Sequence, residues 1–136
     1  MSSIVTEQGL LHYESIGRGQ PIILLHGWIN SWDVWREPMI ALAKTRVYRV
    51  YALDFWGFGD SGKGVKNPSD SFQIGSYVNM VSQFMDSLGI QEAPIFGHSM
   101  GGTVALQIAL AQPERISKVA VVGSPVLGTS LNPFLQ

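Results

Sequence analysis

Five consecutive residues, Gly97-His98-Ser99-Met100-Gly101, set a serine between glycines where the apolar run "APIF" gives way to a helical pattern. A serine so placed can act as a nucleophile. The strand-to-helix turn forces it into strained backbone angles, and bare glycines on both sides let its hydroxyl stand clear of the neighbouring strand and helix. Free amides at the head of the following helix, with the positive end of its dipole, point toward any oxyanion formed beside Ser99, and the Met100 amide is one such donor. A second donor has to come from another loop. The run "PIILLHG" ends at His26-Gly27, which puts the Trp28 amide at that place. His26 lies at the same edge and is the best base within the chain, although holding the oxyanion loop in shape is the commoner role for such a residue.

Asp54, with Gly57, Gly59 and Ser61 after it, is expected to shape its loop through turn hydrogen bonds, with a catalytic acid as its second role. Ser124 also follows directly on a strand-like run. Trp28 and Trp56 fall on loops at the active edge and are better candidates for an acyl pocket than Trp32 and Trp35, whose helical spacing suits a core. The histidines His12, His26 and His98 have no spacing that suggests a metal cage. With no cysteine there is neither disulfide, thiol catalysis nor thiolate metal site. No metal and no cofactor are expected.

The elements that must hold these residues follow in chain order. Two extended runs around Gln8-Gly9 read as an antiparallel hairpin, with His12 in its second strand. "PIILLHG" is a continuous apolar run of the kind buried on both faces of a parallel sheet. From Ser31, a good N-cap, Trp32, Trp35, Met39 and Leu42 line one face of a predicted helix. "VYRVYALDF" returns to strand character, and "WGFGDSGKGVKNPSD" is a glycine-rich loop. Tyr77, Val81, Phe84 and Leu88 mark a second helix that Gly89 can end. "APIFGHS" is a further buried strand, 101–111 a helix with Val104, Ile108 and Ala111 along one side, and "ISKVAVVGSP" the last strand. Strands alternating with helices imply a doubly wound α/β fold, in which ligands bind at the carboxyl ends of the strands.

Bulk properties narrow the partners. The 136 residues suit one domain, 1–136, and 9 basic against 10 acidic residues, with a net charge of −1 and no block of like charge, lack the footprint of a nucleic-acid or anionic-membrane binder. The opening "MSSIVTEQ" has no basic or apolar leader pattern, and no apolar run approaches the ~18 residues needed to cross a bilayer. A soluble, cytoplasmic protein is expected.

"HGW", then "DFWGFGDSGK", then "GHSMGG", in that order and on the right elements, resemble the N-terminal part of an α/β-hydrolase over essentially the whole chain. The resemblance implies a truncated α/β-hydrolase fold: a mostly parallel six-stranded sheet with an N-terminal antiparallel hairpin and helices on both faces. The "HGW" form is similar to small esterases, haloperoxidase-like perhydrolases and carbon–carbon bond hydrolases, while serine in place of aspartate argues against the dehalogenase and epoxide-hydrolase branches. It also implies that His98 turns away from Ser99. In that family an acid and then a histidine follow the serine on later strands. Here the 37 residues after Ser99 hold no histidine, no aspartate and one glutamate, Glu114, which precedes the last strand at the wrong edge.

Two functions are therefore expected in competition. One is a minimal serine hydrolase of small carboxylic esters, with Ser99 as nucleophile, the Trp28 and Met100 amides as oxyanion hole, and as base His26, a histidine of a second subunit, or water. The other is a non-catalytic half-domain for binding or assembly, or one completed by a separate C-terminal half; a shortened remnant of a longer hydrolase is the third possibility. "KVAVV", with Lys118 as its one charged guard, leaves an apolar strand edge, so a homodimer joined there and through 123–136 is expected.

Overall fold

The computed structural model describes residues 2–62 and 73–125. The predicted loop and tail sequences at 63–72 and 126–136 lie outside the described residues. A hairpin, β1 (Ser2–Thr6) and β2 (Gly9–Gly17), is followed by β3 (Gln20–Leu25), α1 (Arg36–Lys44), β4 (Tyr48–Leu53), α2 (Ile74–Leu88), β5 (Ala93–His98), α3 (Met100–Ala111) and β6 (Ile116–Val122). The six strands form one sheet in the order β1-β2-β4-β3-β5-β6. β2 pairs antiparallel with β1 and β4, whereas β3 pairs parallel with both β4 and β5, and β5 with β6. This is the mostly parallel six-stranded sheet with an N-terminal antiparallel hairpin expected from the sequence.

The sheet separates two apolar layers because successive strand residues point to opposite faces. Ile23 and Leu25 of β3 pack with Tyr77, Val81 and Phe84 of α2 and with Val104 and Ile108 of α3. Ile22 and Leu24 pack on the other face with Val50, Ala52 and Met39 of α1. A strand buried on both sides needs apolar residues at every position, which is why "IILL" does not alternate. Helix α2 stops where expected, with Gly89 at φ 67°, a left-handed cap that costs glycine little.

One element departs from the periodicity. The single helix expected from Ser31 is a 3₁₀ turn, Trp32–Trp35, followed by α1. Pro38 explains the break: without an N–H it cannot donate to the carbonyl four residues earlier, so it is tolerated only in the first turn of an α-helix. The apolar face survives, since Trp32, Trp35 and Leu42 pack around buried Met39. Ser31 caps the 3₁₀ turn, its side chain accepting from the Asp33 amide at 3.4 Å. On α3, Ala111 is exposed rather than part of the buried side, where Ala105 lies instead.

The connections that leave β3 and β5 run in opposite directions along the sheet. The chain passes from β3 through α1 to β4 on one side, and from β5 through α3 to β6 on the other. The carboxyl ends of β3 and β5 therefore flank a topological switch point, the place where ligands bind in open α/β sheets. Among the described residues β6 is the outermost strand at its end of the sheet, with Val121 and Val122 exposed.

Phe84 holds the α2 layer together; its fully buried ring meets Tyr13 edge-on at 5.1 Å and Tyr51 at 5.5 Å. Phe84→Ala is expected to cost about 3–5 kcal/mol of unfolding free energy, measured by urea denaturation.

Candidate active site

The parallel register pairs Leu25 with Gly97, so two residues on, Gly27 stands opposite Ser99. The approach is close. A Cβ on Gly27 would lie 3.0 Å from the Ser99 Cβ and 3.1 Å from His98 Nδ1. The loop that carries the Trp28 amide therefore runs directly beside the serine. Ser99 itself has φ 53° and ψ −122°, a conformation that a residue with a side chain adopts only when its surroundings impose it. Its amide donates to Val122 O at 2.8 Å, which ties the turn to β6.

The flanking glycines act as the sequence suggests. A side chain at 97 would strike the backbone of Gly101 and Gly102, and one at 101 the carbonyl oxygens of Leu25 and His26. Gly102 abuts Ser124, so that serine packs behind α3, with its hydroxyl directed to Val122 O at 3.4 Å. The first bonds of α3 run from the Gly102 and Thr103 amides to Ser99 O, at 2.9 and 3.3 Å. The Met100 amide precedes that ladder, as the leading N–H groups of every helix do, and points out of the helix start beside Ser99.

The three histidines occupy three different settings. His26 is fully buried; its Nδ1–H donates to Gly27 O at 2.7 Å, and its Nε2 accepts from the Phe55 amide at 3.0 Å. Burial lowers its pKa from the usual 6.5, against smaller raising effects of the Gly27 carbonyl and Asp54, so the ring is neutral. Both nitrogens being taken, His26 has no free lone pair for a serine proton, and the arrangement corresponds to a brace between the Gly27-Trp28 loop and the chain leaving β4. His98 is exposed and lines a concavity of about 300 Å³ with Asn30, Trp35, Pro38 and Val122, on the α1 face of the sheet. His12 is buried in β2, near Asp54.

Asp54 is a hub. Its Oδ1 accepts from the Trp32 amide at 2.7 Å and its Oδ2 from the Asp60 amide at 2.9 Å, while its main-chain carbonyl takes the Ser61 hydroxyl at 2.6 Å. Ser61 Oγ in turn accepts from the His12 amide at 2.8 Å. These bonds make Asp54 a loop organiser, with both carboxylate oxygens committed to backbone. Trp56 is buried, with Tyr77 donating its hydroxyl to the Trp56 carbonyl at 3.1 Å; burial raises the Tyr77 pKa, so that donor stays protonated. Trp28 is 47% exposed and meets Phe58 edge-on at 5.2 Å, which makes it the more open of the two. Glu114 is exposed in the turn before β6, at the opposite edge from Ser99.

Comparison with known proteins settles the lineage. The model of the alpha/beta hydrolase fold family matches residues 20–135. The chain belongs to this family. A bifunctional epoxide hydrolase 2 of Sus scrofa is 34% identical over 122 residues, which make up 90% of this chain and 21% of that protein. A 2-hydroxymuconate semialdehyde hydrolase of Pseudomonas sp. (strain CF600) is 36% identical over 112 residues, 79% of this chain and 38% of the relative. Among solved structures, an esterase of a marine microorganism matches with a TM-score of 0.74 at 29% identity, over 82% of this chain and 40% of that one. The chain thus spans between about a fifth and two fifths of the length of these relatives. An epoxide hydrolase, a 2-hydroxymuconate semialdehyde hydrolase and an esterase all stand among the similar proteins, so overall likeness does not separate the branches of this hydrolase family.

Two outcomes test this geometry. Gly101→Ala, which drives a methyl into two carbonyls, is expected to cost about 3 kcal/mol in urea unfolding. Because the lowered pKa of folded His26 makes the unfolded chain bind the proton better, its contribution to stability is complete above about pH 6.5 and is lost as pH falls below that value. The urea midpoint should drop with acidification from that point, and less steeply in His26→Gln.

Proposed function

We propose that the chain carries the nucleophile and oxyanion hole of a serine hydrolase acting on small carboxylic esters. The observation that carries this reading is the strained Ser99, held at φ 53° directly opposite the Gly27-Trp28 loop. Ser99 Oγ attacks the ester carbonyl carbon and gives its proton to a base. The carbonyl oxygen becomes an oxyanion that accepts from the Met100 and Trp28 amides, which cost no reorganisation because the backbone already aims them. Collapse expels the alcohol, and water then hydrolyses the acyl-serine. Trp28 and Phe58 supply an apolar wall for the acyl group.

Serine chemistry favours esters over epoxides for a simple reason. An alkoxide that opened an epoxide would leave an ether, which water does not cleave, and the enzyme would be spent after one event. An acyl-serine is an ester and turns over. The base in this reading is not His26, whose nitrogens are both engaged; it is water or a histidine of another chain or segment. Even with an incomplete triad, an oxyanion hole and binding alone sustain about 10³–10⁴-fold acceleration over water.

The test is turnover of an acetate or butyrate ester with an activated leaving group, alongside labelling by a fluorophosphonate. Ser99→Ala is expected to lose both while retaining its fold. Equal turnover and labelling in Ser99→Ala would defeat the reading.

Pairing of two copies through the outer edge of β6 is a separate proposal, supported by exposed Val121 and Val122 on that strand. Light scattering at micromolar concentration should report a dimer, and Val121→Lys a monomer or loss of fold. A stable monomer of the unmodified chain would end it.

A further inference from the structure

His12 presents an anomaly that the catalytic reading does not use. Its side chain is 1% exposed, and neither ring nitrogen has a hydrogen-bond partner. Yet Nε2 faces three carboxylates: Glu14 Oε1 at 3.3 Å, Asp54 Oδ2 at 3.9 Å and Asp60 Oδ2 at 4.0 Å. One donor atom each from His12, Asp54 and Asp60 lies within 4.8 Å of the others. A single N–H points at one acceptor; it cannot serve three that surround it at such distances.

We propose that His12, Asp54 and Asp60, with Glu14 as an additional oxygen donor, form a binding site for a divalent transition cation of the zinc or manganese type. An imidazole nitrogen combined with carboxylates suits those ions better than calcium or magnesium, which prefer oxygen alone. Bonds of about 2.0–2.2 Å would draw the donors together by roughly 1 Å. The side chains that must move are the accessible ones, Asp60 at 58% and Glu14 at 26% exposure, and Asp60 also gives the ion its way in. The buried donors are already set. His12 is fixed through its own amide and carbonyl, which bond Ser61 Oγ and the Asp54 amide. Asp54 is fixed by the Trp32 and Asp60 amides, and a carboxylate oxygen that accepts one N–H keeps a second lone pair for a metal. A side chain at Gly59 would collide with the Asp54 carboxylate, so the missing Cβ keeps that group open.

The unpartnered Nδ1 sets the strength. Metal-bound histidines usually donate their other N–H to an acceptor, and losing such a partner costs about 10–100-fold in affinity. Binding weaker than at a site whose histidine has that partner follows. The ion would not touch the reacting atoms. It would staple β2 to the loop after β4 and, through the Asp54 bond to the Trp32 amide, to the segment that follows the Gly27-Trp28 loop.

The experiment is equilibrium dialysis of tag-free, chelator-stripped protein against zinc chloride at about pH 8, since ligands must be deprotonated, with thermal unfolding and the imidazole NMR signals of the three histidines followed in parallel. The expected result is one zinc per chain, a raised Tm and displacement of the His12 signals. Asp60→Asn, which keeps the backbone amide that bonds Asp54, should weaken binding by roughly tenfold or more, and Asp60→Ser should do the same; His98→Gln should leave it unchanged. Absence of bound zinc in the stripped parent would overturn the proposal. So would binding that survives both Asp60 substitutions, or that disappears in His98→Gln.

Discussion

A side chain at position 101 would run into the carbonyls of Leu25 and His26, and one at 97 into the backbone of α3. The carboxyl ends of β3 and β5 and the start of α3 thus share a volume that admits backbone alone. Everything at the candidate site depends on this approach. It lets the loop after β3 reach Ser99, and it sets the start of α3 and the Gly27-Trp28 loop against the same residue. Strain of about 1–3 kcal/mol persists in a fold only where packing over-determines it, and here the surrounding contacts are main-chain atoms of a buried sheet, which have nowhere to relax.

Around that contact, two buried polar side chains hold the loops. His26 spans from Gly27 O to the Phe55 amide and so fastens the loop after β3 to the chain leaving β4. Asp54 does the same between the Trp32 and Asp60 amides. Each satisfies backbone groups that the sheet ladder cannot reach, because they lie beyond the strand ends. Loops without regular structure still have to pair their buried amides, and this chain does so with side chains from the strand termini. That division of labour explains why polar residues sit at the carboxyl edge of a core that is otherwise apolar, and why they need not be reactive.

Much of this was legible in the residues. Uninterrupted apolar runs marked β3 as a two-faced strand, glycines around Ser99 marked the elbow, and Gly89 marked the end of α2. Apolar spacing is blind to the missing N–H of Pro38 and so predicts one continuous helix from Ser31 where a 3₁₀ turn precedes α1, although the face it predicts is the one that packs. The roles of the histidines were less legible. A ring nitrogen becomes a base or a brace according to what it meets, and the partners of His26 come from an adjacent residue and from one 29 positions away.

Local pattern therefore determined the strands, the helices and the identity of the turn serine, since those follow from hydrophobic period and backbone freedom within a few neighbouring residues. What surrounds each polar side chain was decided by the tertiary structure. Gly27 stands against Ser99 only because β3 and β5, distant in sequence, pair with Leu25 opposite Gly97. His12 faces Asp54 and Asp60 only because the antiparallel pairing of β2 with β4 carries it to the loop that β4 enters. Register across a sheet is set by the packing of whole faces, and no spacing along one strand records it.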